Sequence, residues 1–168
     1  GITAKLKLPP IVNLSYYGAI TPRWDVMTDA QWTGWSTIKD LTFVRDSGAT
    51  LASTPENFKD AWKLSIGANY RASDQWMFRA GLAFDMSPVE TAHRTPRLPD
   101  SDRTWLSAGA QFKWNQNLRL DFGATYIWSK KAAINKSGDP SNVLANGLLN
   151  GDYDSSVSIV SAQLTYSF

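Results

Sequence analysis

The stretch "WKLSIGANYRASDQWMFRAGLAFDM", Trp62 to Met86, decides the fold. In its first part Trp62, Leu64, Ile66, Ala68 and Tyr70 fall on one face, with Lys63, Ser65, Gly67 and Asn69 on the other. A period of two belongs to a β-strand, because successive side chains point to opposite sides of an extended backbone. After the short polar connection "RASDQ" the pattern resumes, with Trp76, Phe78, Ala80, Leu82, Phe84 and Met86 opposite Met77, Arg79, Gly81, Ala83 and Asp85. Two strands, each greasy on one side only, are predicted.

The same alternation recurs outward from there. "TWLSAGAQFKW" (104–114), "LRLDFGATYIW" (118–128) and residues 156–168 repeat it, the last with Val160, Ala162, Leu164, Tyr166 and Phe168 on one face. Two earlier strands are less regular: residues 11–20, and a long one from Arg23 toward Arg45 that is expected to bend near Gly34. Seven strands are thus predicted. Each clean one has about 11 residues and carries its aromatics near its ends, as a tilted strand crossing a bilayer does with its interfacial aromatic girdles. A soluble β-sandwich also alternates, but its strands are nearer five or six residues and its aromatics favour the middle of the buried face. The fold class expected is therefore all-β, an antiparallel transmembrane β-barrel.

Composition excludes several other classes. The chain has 168 residues, 17 basic against 15 acidic, a net charge of +2 and no basic run, so nothing favours nucleic acid as a partner. Cysteine is absent and histidine occurs once, at His93, so neither a disulfide framework nor a thiolate metal site is available, and no cofactor or catalytic group is expected. A lone histidine without a matched serine gives no recognised nucleophilic triad. No run of 18 apolar residues suggests a membrane helix, and no charged-then-apolar leader opens the sequence, so any signal peptide is expected to lie outside it. The unusual figure is 12% aromatic residues, including eight Trp.

Connections alternate in length: "ITPR" is short, 46–58 long, "RASDQ" short, 88–102 long, "NQN" short and 132–154 long. Outer-membrane barrels have short periplasmic turns and long outer loops, which puts Phe168 at the periplasmic end. Leu164, Tyr166 and Phe168 at alternating positions before the end resemble the signal by which the assembly machinery recognises bacterial outer-membrane barrels. Counting back, seven strands leave the first one starting outside, near Pro9 and Pro10, whereas single-chain bacterial barrels have even strand numbers. An open sheet would also present two unpaired edges to lipid, at several kcal/mol per unsatisfied group. Either a further segment completes the wall, or Ile2, Ala4, Leu6 and Leu8 supply an eighth strand and close a small structural or adhesive barrel.

"KLKLPP", "FKDAWKLSIGANYRASDQWMFRAGLAFDMSPV", "PRLPDSDRTWLSAGAQF" and the closing "LTYSF" resemble the C-terminal part of the FadL family, bacterial outer-membrane transporters of long-chain fatty acids and other hydrophobic compounds. The resemblance implies a 14-stranded barrel in a Gram-negative outer membrane, of which these are the last seven strands. It also implies passive passage: capture by outer loops, transfer to an inner pocket, and sideways exit beside a kinked strand under an N-terminal hatch. Hatch and kinked strand belong to the other half. A lysine of the family's inner pocket aligns with Thr54, in the loop before "FKDAW", a departure that favours non-acidic hydrocarbons as ligands.

The inward face is read by parity. Met77, Trp105 and Ile127 are apolar yet inward, and with Lys63 and Arg79 they are the candidate substrate-contacting residues of the lumen wall. Packing against a plug is the competing role for the apolar three. Lys63, Arg79, Asp85, Arg119 and Asp121 are equally expected to pair across strands. Gly67, Gly81, Gly109 and Gly123 all fall inward, either to leave room for a ligand or to relieve curvature. Residues 87–103 read as a solvated polar loop, in which Asp100 and Asp102 are a thin basis for calcium, and "NKSGDPSN" (135–142) as a surface turn.

Overall fold

An alternating chain satisfies its backbone by pairing with neighbouring strands. The computed structural model describes residues 1–4, 6–135 and 149–168. Its strands are β1 (Ile2–Ala4), β2 (Ile11–Thr21), β3 (Trp24–Thr33), β4 (Asp40–Arg45), β5 (Thr50–Pro55), β6 (Ala61–Arg71), β7 (Trp76–Asp85), β8 (Arg103–Lys113), β9 (Leu118–Ser129), β10 (Ala132–Asn135), β11 (Asn150–Tyr153) and β12 (Ser156–Tyr166). Seven of them form one antiparallel sheet in the order β12, β9, β8, β7, β6, β3, β2. The Trp62–Met86 stretch is its centre, with β6 and β7 in unbroken register from Lys63 opposite Asp85 to Arg71 opposite Met77.

The two faces of this sheet differ as the alternation requires. Along β7, Trp76, Phe78, Ala80, Leu82 and Phe84 are exposed, and the intervening Met77, Arg79, Gly81, Ala83 and Asp85 are half-buried. Leu82 is 48% exposed and its register partners Ile66 and Leu106 53% each. No second layer covers these side chains among the described residues, which rules out the soluble sandwich. An apolar face this wide belongs against hydrocarbon. Aromatics gather at its borders: Trp76 lies 4.6 Å from Phe112 and Trp24 4.6 Å from Tyr70 by ring centroids, and Tyr126 neighbours Trp128 at the opposite end.

The three short turns share one device. A side-chain oxygen of Thr21, Ser73 or Asn115 accepts the N–H groups two and three residues on, closing each turn locally. Asn117, in the third turn, binds the Ser167 carbonyl through its side chain at 2.6 Å, so the C-terminus lies at the short-turn end as the loop alternation predicts.

Apolar burial concentrates at the opposite, long-loop end, where Ile38, Ala61, Val89, Ala132 and Ile134 are all buried. Here the structure corrects the sequence reading. The strand expected to run from Arg23 to Arg45 stops at Thr33, and a 3₁₀ turn over Trp35–Thr37 carries the chain out of the wall. Gly34 is needed at this exit, since a Cβ there would meet Pro10 and Trp32 side-chain atoms at 2.9 Å. β4 then pairs with β5 and β1 in a separate small sheet, so the expected 46–58 loop is largely a hairpin and Thr54 sits in a strand opposite Leu41. Residues 2–4 pair with β4, not with β2 or β12, so they are no eighth wall strand and the small closed barrel is not favoured.

Loop 86–102 is more built than a solvated loop. Ser87, 3% exposed, donates to Asp100, its N–H donates to Asp102, and buried Arg94 donates to the carbonyls of Asp100 and Ala133. Both carboxylates read as calcium ligands thus serve the loop's own donors, with Arg103 also on Asp100. Of the turn expected at 135–142, residues 136–142 lie outside the described residues.

Candidate functional site

Strand register lays the inward side chains out in rows. Tyr17, Met27, Gly67, Gly81, Ser107 and Thr125 follow one another in register across six strands. On the long-loop side of them runs Ser15, Asp29, Ser65, Ala83, Trp105 and Ile127. Small residues dominate the middle of both rows, and the face is hollowed there into two adjoining recesses. The upper, of about 600 Å³, is lined by Tyr17, Met27, Lys63, Gly81, Trp105 and Ser107. The lower, of about 530 Å³, shares Met27, Gly81 and Ser107 and continues over Arg79, Gly109 and Asp121.

Two of the five candidate residues, Lys63 and Trp105, line the upper recess, and a third, Ile127, lies next to it in register. The Lys63 ammonium stands 4.6 Å from the centre of the Trp105 ring, and Trp105 is the register partner of Ile127, which is buried. Asp85 lies opposite Lys63 on β7, yet its carboxylate binds Arg103 at 3.0 Å. Among the described residues Lys63 therefore has an aromatic face as its neighbour and forms no ion pair, and the Trp105 indole N–H is buried without an acceptor. The Lys63 cation thus borders a hollow whose lining also carries the Asp29 carboxylate and the hydroxyls of Ser15, Ser65 and Ser107, while the indole N–H is buried. A cation against an indole face gains about 0.5–2 kcal/mol, and it keeps its donors for an incoming acceptor.

The other two candidates lie elsewhere. Arg79 crosses the lower recess to bind Asp121 at 3.0 Å, two strands away, where Gln111 and Arg119 also donate at 2.8 and 3.2 Å. Met77 is farther toward the short turns, opposite Arg71 and Gln111. The expected cross-strand pairing of inward charges holds for Arg79, Asp85 and Asp121; Arg119 pairs with Asp121 of its own strand, and Lys63 forms no ion pair among the described residues.

Sequence reasoning missed the contribution of β2 and β3. Asp25, 1% exposed, accepts both terminal nitrogens of Arg71 at 2.9 and 2.6 Å, and Ser15 donates to Asp29 at 2.6 Å. The signal was present in β3, where Asp25, Met27, Asp29 and Gln31 alternate with Val26, Thr28 and Ala30. It was blurred by the adjacent Tyr16 and Tyr17 in β2, which put an aromatic on each face.

Comparison with known proteins agrees with this geometry. Residues 2–168 match the family model described as outer membrane protein transport protein (OMPP1/FadL/TodX). The chain is 37% identical over 131 residues to the long-chain fatty acid transport protein of Escherichia coli K12, covering 78% of this chain and 29% of that protein. It is 34% identical over 149 residues to the 47 kDa outer membrane protein of Pasteurella multocida, 89% of this chain and 35% of that one. The crystal structure of a Pseudomonas aeruginosa FadL homologue superposes with a TM-score of 0.88 at 31% identity, over 98% of this chain and 37% of the other. The chain spans about a third of the length of these relatives. Seven wall strands, a lipid-facing apolar side and these likenesses agree: the chain belongs to the OMPP1/FadL/TodX family of transport proteins of the Gram-negative outer membrane.

Proposed function

We propose that this chain forms the C-terminal half of a 14-stranded outer-membrane barrel that lets long-chain fatty acids or other hydrophobic compounds pass without energy input. The observation that carries it is the upper recess, where the Lys63 ammonium, held against the Trp105 ring and in no ion pair among the described residues, borders a hollow lined by Tyr17, Met27, Asp29, Gly81 and Ser107. In this reading Lys63 holds an acceptor such as a carboxylate, Trp105 supports the ammonium with its ring, and Ile127 backs Trp105. Arg79 and Met77 border the path farther down, Arg79 as a wall charge already neutralised by Asp121.

A partner segment for the open edges is part of the proposal. β2 and β12 each have one neighbour in the wall, and their free edges would leave unsatisfied backbone groups in hydrocarbon at several kcal/mol apiece. The N-terminal half of the barrel is the natural occupant. Leu164, Tyr166 and Phe168 are proposed as the sequence that the assembly machinery reads; the first two lie at the short-turn end of β12 and Phe168 follows just past it, packed on Tyr166. Thr54 bears less on head-group chemistry than the sequence suggests, since Lys63 supplies a cation to the wall itself.

The test is uptake of radiolabelled hexadecanoic acid by intact cells producing the full-length protein, with cells lacking it as background. Lys63→Ala combined with Trp105→Phe is expected to reduce protein-dependent uptake about tenfold, the effect of losing a charge-assisted pair of contacts. Uptake equal to background in the parent protein, or unaltered in the double variant, refutes the proposal or the site respectively.

A further inference from the structure

Four inward glycines stand in two opposed pairs, Gly67 with Gly81 and Gly109 with Gly123, and they are not equivalent. A Cβ on Gly109 would come 3.1 Å from the Phe122 carbonyl oxygen, and one on Gly67 3.3 Å from that of Ala80. One on Gly123 would meet the Ser161 hydroxyl at 2.8 Å. In each of these places something would have to shift. Gly81 differs: its Cβ would meet only the Ile66 carbonyl oxygen, at an ordinary 3.6 Å, and its φ is not in the left-handed region. The backbone does not require glycine at this position.

Gly81 also stands where the upper and lower recesses join, being shared by both with Met27 and Ser107. Its partner across β6, Gly67, is equally bare. We propose that Gly81 sets the girth of the hydrophobic ligand: it and its wall neighbour Gly67 carry no side chains, which leaves the junction deep enough for a branched or ring-bearing hydrophobe to move from the upper recess into the lower. A larger side chain at this position narrows the junction to what an unbranched chain can pass. This inference rests on the transport reading of the same recesses. It assigns a different property to a different residue, since Lys63 and Trp105 address the polar end of a ligand and Gly81 its cross-section.

Gly81→Val and Gly81→Ala in the full-length protein test it, valine being favoured in strands and free of polar atoms. Intact cells are supplied with radiolabelled hexadecanoic acid or phenanthrene, and folding is checked by heat-modifiable migration of the barrel. Gly81→Val is expected to lower the ratio of protein-dependent phenanthrene uptake to hexadecanoic acid uptake about tenfold, the scale on which a few methyl groups discriminate in an apolar pocket. Gly81→Ala is expected to shift the same ratio about threefold, and it carries the test if the valine variant does not fold. Equal loss of both compounds in folded protein, or no change in either, overturns the girth role. A parent protein that takes up neither compound above background overturns the transport reading with it. A parent that takes up both, with variants that do not discriminate, overturns the girth role alone.

Discussion

Ala80 marks the depth at which the outer face should tolerate a charge least. It lies four residues from Trp76 and four from Phe84, the border aromatics of β7. Four residues rise about 13 Å along a strand, or about 10 Å along the membrane normal at a tilt near 40°, close to half of an apolar band about 25 Å tall. Its register partners are Ala68 and Ala108, so no larger side chain beside it could shield a guanidinium. Ala80→Arg in the full-length barrel is therefore expected to cost about 2–4 kcal/mol, a shift of roughly 30- to 700-fold in the unfolding equilibrium.

Two companion substitutions separate depth and face from a general effect of arginine. Thr104 points outward but sits at the belt opposite Phe84, where the same change should cost about 0–1 kcal/mol. Ser65 points inward opposite Asp29, and Ser65→Arg should likewise escape the hydrocarbon penalty. Reversible denaturant unfolding in lipid vesicles, followed by tryptophan fluorescence, measures all three. If Ala80→Arg costs no more than Thr104→Arg, the exposed face does not meet hydrocarbon and the assignment of its sides is wrong.

Asp121→Ala should destabilise the barrel by about 1–3 kcal/mol in the same assay, because it leaves Arg79, Arg119 and Gln111 without their shared acceptor; no loss would show that this cluster is solvated. Removal of Phe168, whose ring packs 5.1 Å from Tyr166, is expected to reduce heat-modifiable barrel in outer-membrane fractions several-fold, and unaltered levels would remove its role in assembly. Asp60 accepts from the Ser36 hydroxyl and backbone N–H, which hold its carboxyl below the ordinary 3.8. Its contribution to stability should be complete above that pH and vanish as pH falls through the lower folded value; Asp60→Asn should flatten acid-unfolding curves in this range, and identical curves would refute the linkage.

The wall was legible because each side chain of a membrane strand faces either lipid or lumen. β6 to β9 obey that rule residue by residue, so their bounds and facing could be read directly. Beyond Gly34 the rule lapses. β4 carries Leu41, Phe43 and Val44 on both sides of a small sheet, and its alternation looks like a continuation of β3 although it pairs elsewhere. Nothing local distinguishes Ile2–Ala4 as a partner of β4 from a wall strand, since pairing is a long-range choice. The loop 86–102 misled for the opposite reason: its charges look solvated one by one, and only the fold brings Ser87, Arg94 and Asp100 together.

The site was half legible, and the reason lies in what parity can express. Parity gives the face of a side chain but not its direction across that face. It therefore treated Lys63 and Arg79 alike, as inward cations. The structure separates them: Arg79 leans two strands over to Asp121, past Gly109, whereas Lys63 has its register partner Asp85 taken by Arg103 and settles on Trp105. Paired charges border the lower recess, whereas the upper carries the Lys63 cation and, across the hollow's lining, the Asp29 carboxylate bound to Ser15. In the proposed transport reading, an acidic end of a ligand would meet the Lys63 cation first, and moving onward would bring it to a stretch of wall where Arg79 and Arg119 are already paired with Asp121. Which carboxylate each arginine reaches first therefore decides where along the same sheet a cation is left without an ionic partner, and the transport proposal rests on that difference.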